Sequence, residues 1–103
     1  MISLKPGVVV TGIRPELLLG VIVAERVYER NHYPLTITSL TDGEHSPNSL
    51  HYKGYAADLR TRDVAMPLLG VITRELKEAL GRDYDVVLEG DHLHLEFDKK
   101  DTK

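Results

Sequence analysis

The sequence contains no cysteine, no tryptophan and no apolar run long enough to cross a membrane. The lack of cysteine excludes a disulfide-stabilised scaffold and any zinc site built on thiolates. Lys5 and Pro6 interrupt the N-terminal stretch too early for a signal peptide, so we predict neither a signal peptide nor a membrane segment. These absences leave the localisation open.

The charge balance is mildly acidic, with a formal net charge of −3 at pH 7. Domains that bind nucleic acid usually present a basic face to the phosphates, so we expect no nucleic-acid partner. The length of 103 residues fits one domain, and 42% of the residues are hydrophobic, which is enough for a core. We therefore predict a monomer with a single domain over residues 1–98 and a polar, frayed tail at residues 99–103.

Apolar periodicity predicts an α+β fold, with helices packed on one face of a small, mostly antiparallel sheet. One helix is predicted over residues 15–31, and a second from a cap at Asp63 to Leu80, with Gly81 after its end. Residues 41–49 have the composition of a loop. Strands are predicted at residues 7–12 (a short strand or an extended arm), 35–40, 54–60, 84–89 and 92–97.

The last predicted strand alternates strictly between apolar and polar side chains. This alternation places three apolar side chains toward the helices, at Leu93, Leu95 and Phe97. It places three polar side chains on the opposite face, at His92, His94 and Glu96. A face with two imidazoles and a carboxylate is costly to bury unless a ligand engages it. The alternative is a solvated outer face of an antiparallel sheet.

A second polar group lies upstream, where His51 ends the predicted loop and Asp58 follows on a predicted strand. Together with His94, these residues provide two imidazoles and one carboxylate. Three such ligands suit Zn²⁺ and leave a fourth position for water, although other divalent ions are not excluded. The alternatives are an exposed loop histidine at His51 and a carboxylate paired with Arg60 or Arg62 at Asp58.

The residues around these groups resemble the Ser-x-His-x-x-Gly-x-Ala-x-Asp signature of the zinc D-alanyl-D-alanine peptidases. Every fixed position of that signature is matched, by Ser49, His51, Gly54, Ala56 and Asp58. The stretch 91–94 is similar to the closing Asp-His-x-His element of the same family, and residues 36–39 are similar to the strand that precedes its metal loop. The family includes vancomycin-resistance carboxypeptidases and dipeptidases, phage L-alanyl-D-glutamate endopeptidases and the related hedgehog signalling domain.

The resemblance implies a hedgehog-type or D-Ala-D-Ala peptidase-like fold that binds Zn²⁺ through three residues, His51, Asp58 and His94. The family places a catalytic base three residues before the last histidine ligand, which here is Asp91. Glu89, at the other end of the same turn, competes for this role, and Glu96 shares a face with the last ligand. His92 is expected to hydrogen-bond to the developing oxyanion or to the activated water.

The substrate-binding residues are less well defined, because many family members carry an arginine shortly after the Thr-Ser strand and this sequence does not. Ser39, His45 and Arg62 are the candidates for contacting the substrate, with Lys53 and Arg60 as other sources of positive charge. His45 is alternatively an ordinary loop histidine. In many family members this arginine reaches the carboxylate of the substrate, so without it an endopeptidase is as plausible as a carboxypeptidase.

The resemblance therefore implies a zinc metallopeptidase that uses an activated water to hydrolyse peptidoglycan stem peptides. The scissile bond is expected to involve a D-amino acid, as in a D,D-carboxypeptidase or an L,D-type endopeptidase. A phage lysin or a bacterial cell-wall peptidase fits this description. The alternative is a zinc-containing module on the same scaffold that binds peptidoglycan or a protein without catalysis. A third possibility is that the histidines bind no metal.

Overall fold

The computed structural model describes residues 1–43, 45 and 49–100, and it shows an α+β fold with two helices and a five-stranded sheet. The elements along the chain are β1 (Ile2–Leu4), α1 (Pro15–Arg30), β2 (Leu35–Ser39), β3 (Ala56–Arg60), α2 (Met66–Leu80), β4 (Tyr84–Leu88) and β5 (His92–Phe97). The strand order across the sheet is β1-β2-β3-β5-β4.

The sheet is mostly antiparallel, as predicted, but it is mixed because it contains one parallel pair. β1 pairs in parallel with β2, whereas the other three pairs of neighbouring strands are antiparallel. Neighbouring parallel strands need a crossover connection, and α1 supplies it here, since it lies between β1 and β2 in the chain.

The N-terminal strand lies earlier than the sequence predicts. Residues 7–12 form no strand; a turn, closed by the hydrogen bond from the Val8 amide to the Lys5 carbonyl (3.2 Å), separates them from β1. They are held as an arm instead, because the Val9 amide donates to Asp42 Oδ1 at 2.9 Å and the Val9 carbonyl accepts from the Thr41 amide at 3.2 Å.

The helix boundaries agree with the sequence except at the start of α2. α1 begins at Pro15 as predicted and ends one residue early, and Gly81 follows the end of α2. The predicted cap at Asp63 is wrong, because the Val64 amide donates to the Thr61 carbonyl (2.9 Å) in a turn before the helix. α2 therefore begins at Met66, with no side-chain cap and with a proline in its first turn.

The predicted strands of the second half are confirmed with small shifts. β5 has the predicted bounds, β4 ends one residue early, and β3 begins two residues late, because Gly54 and Tyr55 belong to the preceding turn. Within the predicted loop 41–49, residues 44 and 46–48 lie outside the described residues, as do residues 101–103 of the tail. The described tail is anchored, because Lys100 contacts Asp83 and Asp85.

The alternation of the strands separates a core face from a polar face. The core face packs on both helices in one cluster that includes Leu17, Tyr28, Leu59, Leu76, Leu93 and Leu95, each almost fully buried. Leu93 and Leu95, two of the three predicted inward side chains of β5, belong to this cluster, whereas Phe97 contacts the rings of Tyr55 and Tyr84. Among the described residues, no helix is both long enough and apolar enough to cross a membrane.

Candidate metal centre

The polar face of the sheet carries the predicted site residues on two central strands. β3 and β5 pair so that Asp58 lies opposite His94, Arg60 opposite His92, and Ala56 opposite Glu96. Side chains of directly opposed residues stand beside each other on the same face of a sheet. The strand pairing therefore brings residues from two distant parts of the sequence to one place.

A β-bulge in β2, the strand next to β3, lies beside the site. Ile37 pairs with Leu59 and Ser39 pairs with Asp58, so two steps along β2 correspond to one step along β3. Such bulges bend a strand and redirect the groups that follow it. The carbonyl of Leu40, just after the bulge, accepts a hydrogen bond from His51 Nδ1 at 2.7 Å.

A tight turn between β2 and β3 places His51 beside the polar residues of β3 and β5. The Ser49 hydroxyl accepts from the His51 amide (3.1 Å), and the His51 carbonyl accepts from the Gly54 amide (3.1 Å). Gly54 lies in the left-handed region at φ +80°, and a Cβ at this position would lie 2.0 Å from the carbonyl oxygen of Gly12. Glycine is therefore required where this turn packs against the N-terminal arm.

Three histidines converge on one oxygen of Asp58. Oδ1 of this carboxylate lies 3.1 Å from His51 Nε2, 3.2 Å from His94 Nδ1 and 3.6 Å from His92 Nε2. His51 is only 2% exposed, and the side chain of Asp58 is 12% exposed. The predicted ligand set is thus assembled around a single, largely buried carboxylate oxygen.

Both nitrogens of His51 and of His94 face oxygen acceptors. His51 contacts the Leu40 carbonyl and Asp58, and His94 contacts Asp58 and Oε1 of Glu96 at 2.7 Å. A neutral imidazole has only one N–H, so it can donate to one of its two acceptors and not to the other. Both nitrogens of a ring are satisfied only if the ring carries an extra proton, accepts a hydrogen bond from a protonated carboxyl group, or shares a cation with Asp58.

The ionisation of this cluster follows from its hydrogen bonds. Burial by itself raises the pKa of the Asp58 carboxyl, but hydrogen bonds from His51 and His94 outweigh burial and hold that pKa well below its ordinary value. The hydrogen bond to Asp58 is the main cause that raises the pKa of His94 to about 9, against the effect of burial. At neutral pH the metal-free cluster therefore pairs a carboxylate with a protonated His94.

Two of the three separations within the predicted donor set suit a zinc ion. A tetrahedral ion with bonds of about 2.0–2.1 Å separates neighbouring ligand atoms by about 3.3 Å. The Asp58 oxygen lies at 3.1 and 3.2 Å from the two imidazole nitrogens, close to this separation. The remaining ring nitrogens of His51 and His94 are held by the Leu40 carbonyl and by Glu96, as metal-binding histidines usually are.

His45 lies against the same cluster without extending it. The ligand atoms of His45, His51 and Asp58 lie within 4.8 Å of one another, so these residues form a group that could hold a metal ion. The His45 ring, however, stacks on the His51 ring at 3.8 Å with an angle of 4° between the planes. Nitrogen lone pairs lie in the ring plane, so parallel stacked rings cannot both direct one at the same ion. In this arrangement His45 covers His51.

His45 is held in its stacked position by other polar contacts. Its Nε2 lies 3.2 Å from the Ser39 hydroxyl and 2.9 Å from the Asp42 carbonyl, and its backbone amide donates to the Tyr52 hydroxyl at 2.7 Å. The two predicted substrate residues Ser39 and His45 are thus in contact with each other.

The candidate bases contact His92 from opposite sides. Oδ1 of Asp91 lies 2.7 Å from His92 Nδ1, whereas Oε1 of Glu89 lies 3.3 Å from His92 Nε2, the nitrogen that faces Asp58. The hydrogen bond to His92 lowers the pKa of Asp91, whose side chain is 94% exposed. Burial lowers the pKa of His92, but the bond to Asp91 and the nearby acidic groups outweigh burial and raise it.

An open cleft of about 510 Å³ adjoins the cluster. Ser39 and Arg62, two of the three predicted substrate residues, line it beside Asp58 and His92. Lys5, Thr38, Arg60 and Asp91 complete its lining. No local pattern in the sequence places Lys5 here, because its position depends on the pairing of β1 with β2.

A second acidic group consists of Asp85, Glu96 and Asp98. The ammonium of Lys100 is 3.1 Å from Asp85 Oδ2 and 3.8 Å from Asp98 Oδ2, so this group already has a cation of the chain beside it. The cluster around Asp58 therefore remains the candidate metal centre.

We expect the substitution Glu96→Gln to lower zinc affinity about tenfold, because the carboxylate that orients His94 is replaced by a neutral amide. Competition with a chromogenic chelator measures this affinity directly. Glu78→Gln is the matched control, since Glu78 is an exposed residue of α2 that forms an ion pair with Arg74. Equal zinc affinities of the Glu96→Gln protein and the wild type would contradict the orienting role.

Comparison with protein-family models gives no match, and comparison with curated proteins gives none either. The function therefore has to be inferred from the geometry of the site itself.

Proposed function

We propose that this chain is a zinc-dependent peptidase of peptidoglycan stem peptides, with a hedgehog-type or D-Ala-D-Ala peptidase-like fold. The observation that carries the proposal is the approach of two imidazole nitrogens to one buried carboxylate oxygen beside an open cleft. The residues of the metal centre are also those of the signature described above, in the same order along the chain. This agreement supports a bond that involves a D-amino acid as the target.

His51 through Nε2, Asp58 through Oδ1 and His94 through Nδ1 would hold the ion. The chemistry that Zn²⁺ supplies when bound is Lewis acidity, which makes a water molecule nucleophilic near neutral pH. Three protein ligands leave a position for that water, as is usual for catalytic zinc sites.

The surrounding residues then have separate tasks in hydrolysis. A carboxylate takes the proton of the attacking water and passes it to the leaving amine. We assign this role to Asp91, with Glu89 as the competitor. His92 lies 3.6 Å from Asp58 at the mouth of the site, where its N–H can donate to the oxygen that becomes negative in the transition state. No covalent bond between chain and substrate is needed.

We expect the zinc-loaded protein to release new fragments from purified peptidoglycan, and Asp91→Asn to lower this rate about 10²- to 10⁴-fold, because the proton acceptor is lost. Mass spectrometry of the muropeptides identifies the bond that is cut. Glu89→Gln is the matched variant, since Glu89 contacts the same imidazole from its other nitrogen.

The outcomes of this experiment are distinct. A large loss in Glu89→Gln with little change in Asp91→Asn would transfer the role of base to Glu89. The metal content of each variant shows whether a low rate is due to loss of the base or to loss of the zinc ion. If the wild-type protein retains one zinc ion per chain and cleaves no muropeptide, the enzyme proposal is wrong.

A further inference from the structure

The ring of His51 is held at its edge and covered on one face. Its two nitrogens contact the Leu40 carbonyl and Asp58 Oδ1. One face carries the ring of His45, which is parallel to within 4° at a centroid separation of 3.8 Å. Hydrogen bonds to ring nitrogens lie near the ring plane, so a contact on the face is needed to resist tilting out of that plane. His45 provides this contact.

The ring of His45 is fixed by the chain that follows β2. Its Nε2 lies 2.9 Å from the Asp42 carbonyl. Asp42 is anchored in turn, because its Oδ1 accepts from the Leu40 amide at 3.0 Å and from the Val9 amide at 2.9 Å. The stack therefore joins the proposed ligand His51 to a segment that is tied to the N-terminal arm.

Tyr52 holds His45 through its backbone. The Tyr52 hydroxyl accepts from the His45 amide at 2.7 Å and donates to the His45 carbonyl at 3.0 Å. The two rings also meet edge to face, with 5.6 Å between their centroids and 69° between their planes. Since Tyr52 follows His51 directly in the chain, the turn that carries the proposed ligand also carries the residue that holds its cover.

The contacts of His45 also exclude its Nε2 as a metal ligand. The Asp42 carbonyl can only accept a hydrogen bond, so Nε2 of His45 carries a proton and has no lone pair to offer an ion. The parallel stack argues in the same direction, as described above. His45 therefore contacts a proposed ligand without being one.

We propose that His45 is a positioning residue, which keeps the His51 ring in the plane that directs Nε2 at the ion and thereby slows release of the ion. This inference rests on the metal centre of the proposed function. An ion leaves a site of three ligands after one ligand swings away. Tilting of the His51 ring breaks its stack with His45, and stacked rings attract each other beyond the effect of their buried area.

The rate of zinc release to an excess of chelator tests the inference. We expect His45→Ala to release zinc about tenfold faster than the wild type. His45→Phe keeps a ring at this position and should restore slow release. His45→Asn keeps a polar group without a ring, so it should release zinc as fast as His45→Ala. His32→Ala, which removes an exposed histidine at the end of α1, is the control and should match the wild type.

The metal-free protein gives a second readout that needs neither zinc nor activity. The N–H of His51 Nδ1 donates to the Leu40 carbonyl, and His51 is 2% exposed, so this proton should exchange slowly with water. We expect its NMR signal to be sharp in the wild type and in His45→Phe. In His45→Ala the signal should broaden, because the uncovered ring tilts and water reaches it.

Three results would overturn the inference: a wild-type release rate in His45→Ala, equal restoration by His45→Asn and His45→Phe, or an unchanged N–H signal in His45→Ala. Failure of the proposed function looks different. A protein that releases zinc slowly only with a ring at position 45, but cleaves no muropeptide, retains the role of His45 and loses the peptidase assignment. A protein that cleaves muropeptides and releases zinc equally fast in all variants shows the reverse. If the wild type binds no zinc, both are wrong.

Discussion

Replacement of Asp58 by alanine is expected to abolish zinc retention and to lower zinc affinity by on the order of 10³-fold, since one of three ligands is lost. The substitution also removes the oxygen on which three histidines converge. Breaking a buried ionic pair leaves its partners without compensation, so the metal-free protein should lose about 3 kcal/mol of unfolding free energy. Metal analysis after dialysis and urea unfolding measure the two effects.

Two further variants separate ligand loss from general damage. Asp58→Asn keeps the shape of the side chain and removes its charge, so it should lose zinc with less change in packing. His32→Asn alters an exposed histidine at the end of α1, outside the cluster, and should retain zinc fully. If Asp58→Ala binds zinc as tightly as His32→Asn does, Asp58 is not a ligand.

The substitution Gly54→Ala is expected to have the largest effect on folding outside the hydrophobic core. A Cβ at this position would lie 2.0 Å from the Gly12 carbonyl oxygen and 3.1 Å from the Ile13 Cα, both of which are backbone atoms. The left-handed φ of +80° adds a further cost. We expect a loss of about 3 kcal/mol or more in unfolding free energy, measured in urea. Zinc affinity should fall as well, because the same turn carries His51.

Two other glycines provide controls for the separate causes. Gly7 has a φ of +92° with open space around it, so Gly7→Ala should show the backbone strain alone, about 1–2 kcal/mol. Gly70 lies inside α2 with open space and an ordinary helical φ, so Gly70→Ala should stabilise the protein by about 0.5–1 kcal/mol. A Gly54→Ala protein as stable as Gly7→Ala would mean that the arm moves aside easily.

Local periodicity accounts for the parts of the fold that the sequence predicted correctly. Side chains alternate across a strand whatever surrounds it, so the two faces of β5 could be predicted from residues 92–97 alone. The first helix has a proline at its start and a clear apolar stripe, and both are local signals. The parallel pairing of β1 was missed because it depends on a partner more than thirty residues away, as in the pairing of Ile2 with Leu35.

In the candidate site, too, local sequence patterns predict the types of residue but not the contacts between them. The spacing of His51 and Asp58 and the alternation around His94 identify the ligand types, but not the single oxygen on which they meet. The sequence places Glu96 on the correct face, yet only the structure shows its contact with His94 Nε2. Lys5 carries no local signal for the cleft, since β1 brings it there.

The order of the strands also has a consequence for how the chain reaches its final state. Asp58 and His94 are 36 residues apart in sequence and meet only when β3 and β5 have paired. Contacts of such long range form late, because the entropy of closing the intervening chain must be lost first. The proposed metal site is therefore incomplete until these two strands have paired. By mass action, the proposed zinc ion would bind only the completed sheet and would stabilise it, so the folded fraction of the protein should rise with the zinc concentration.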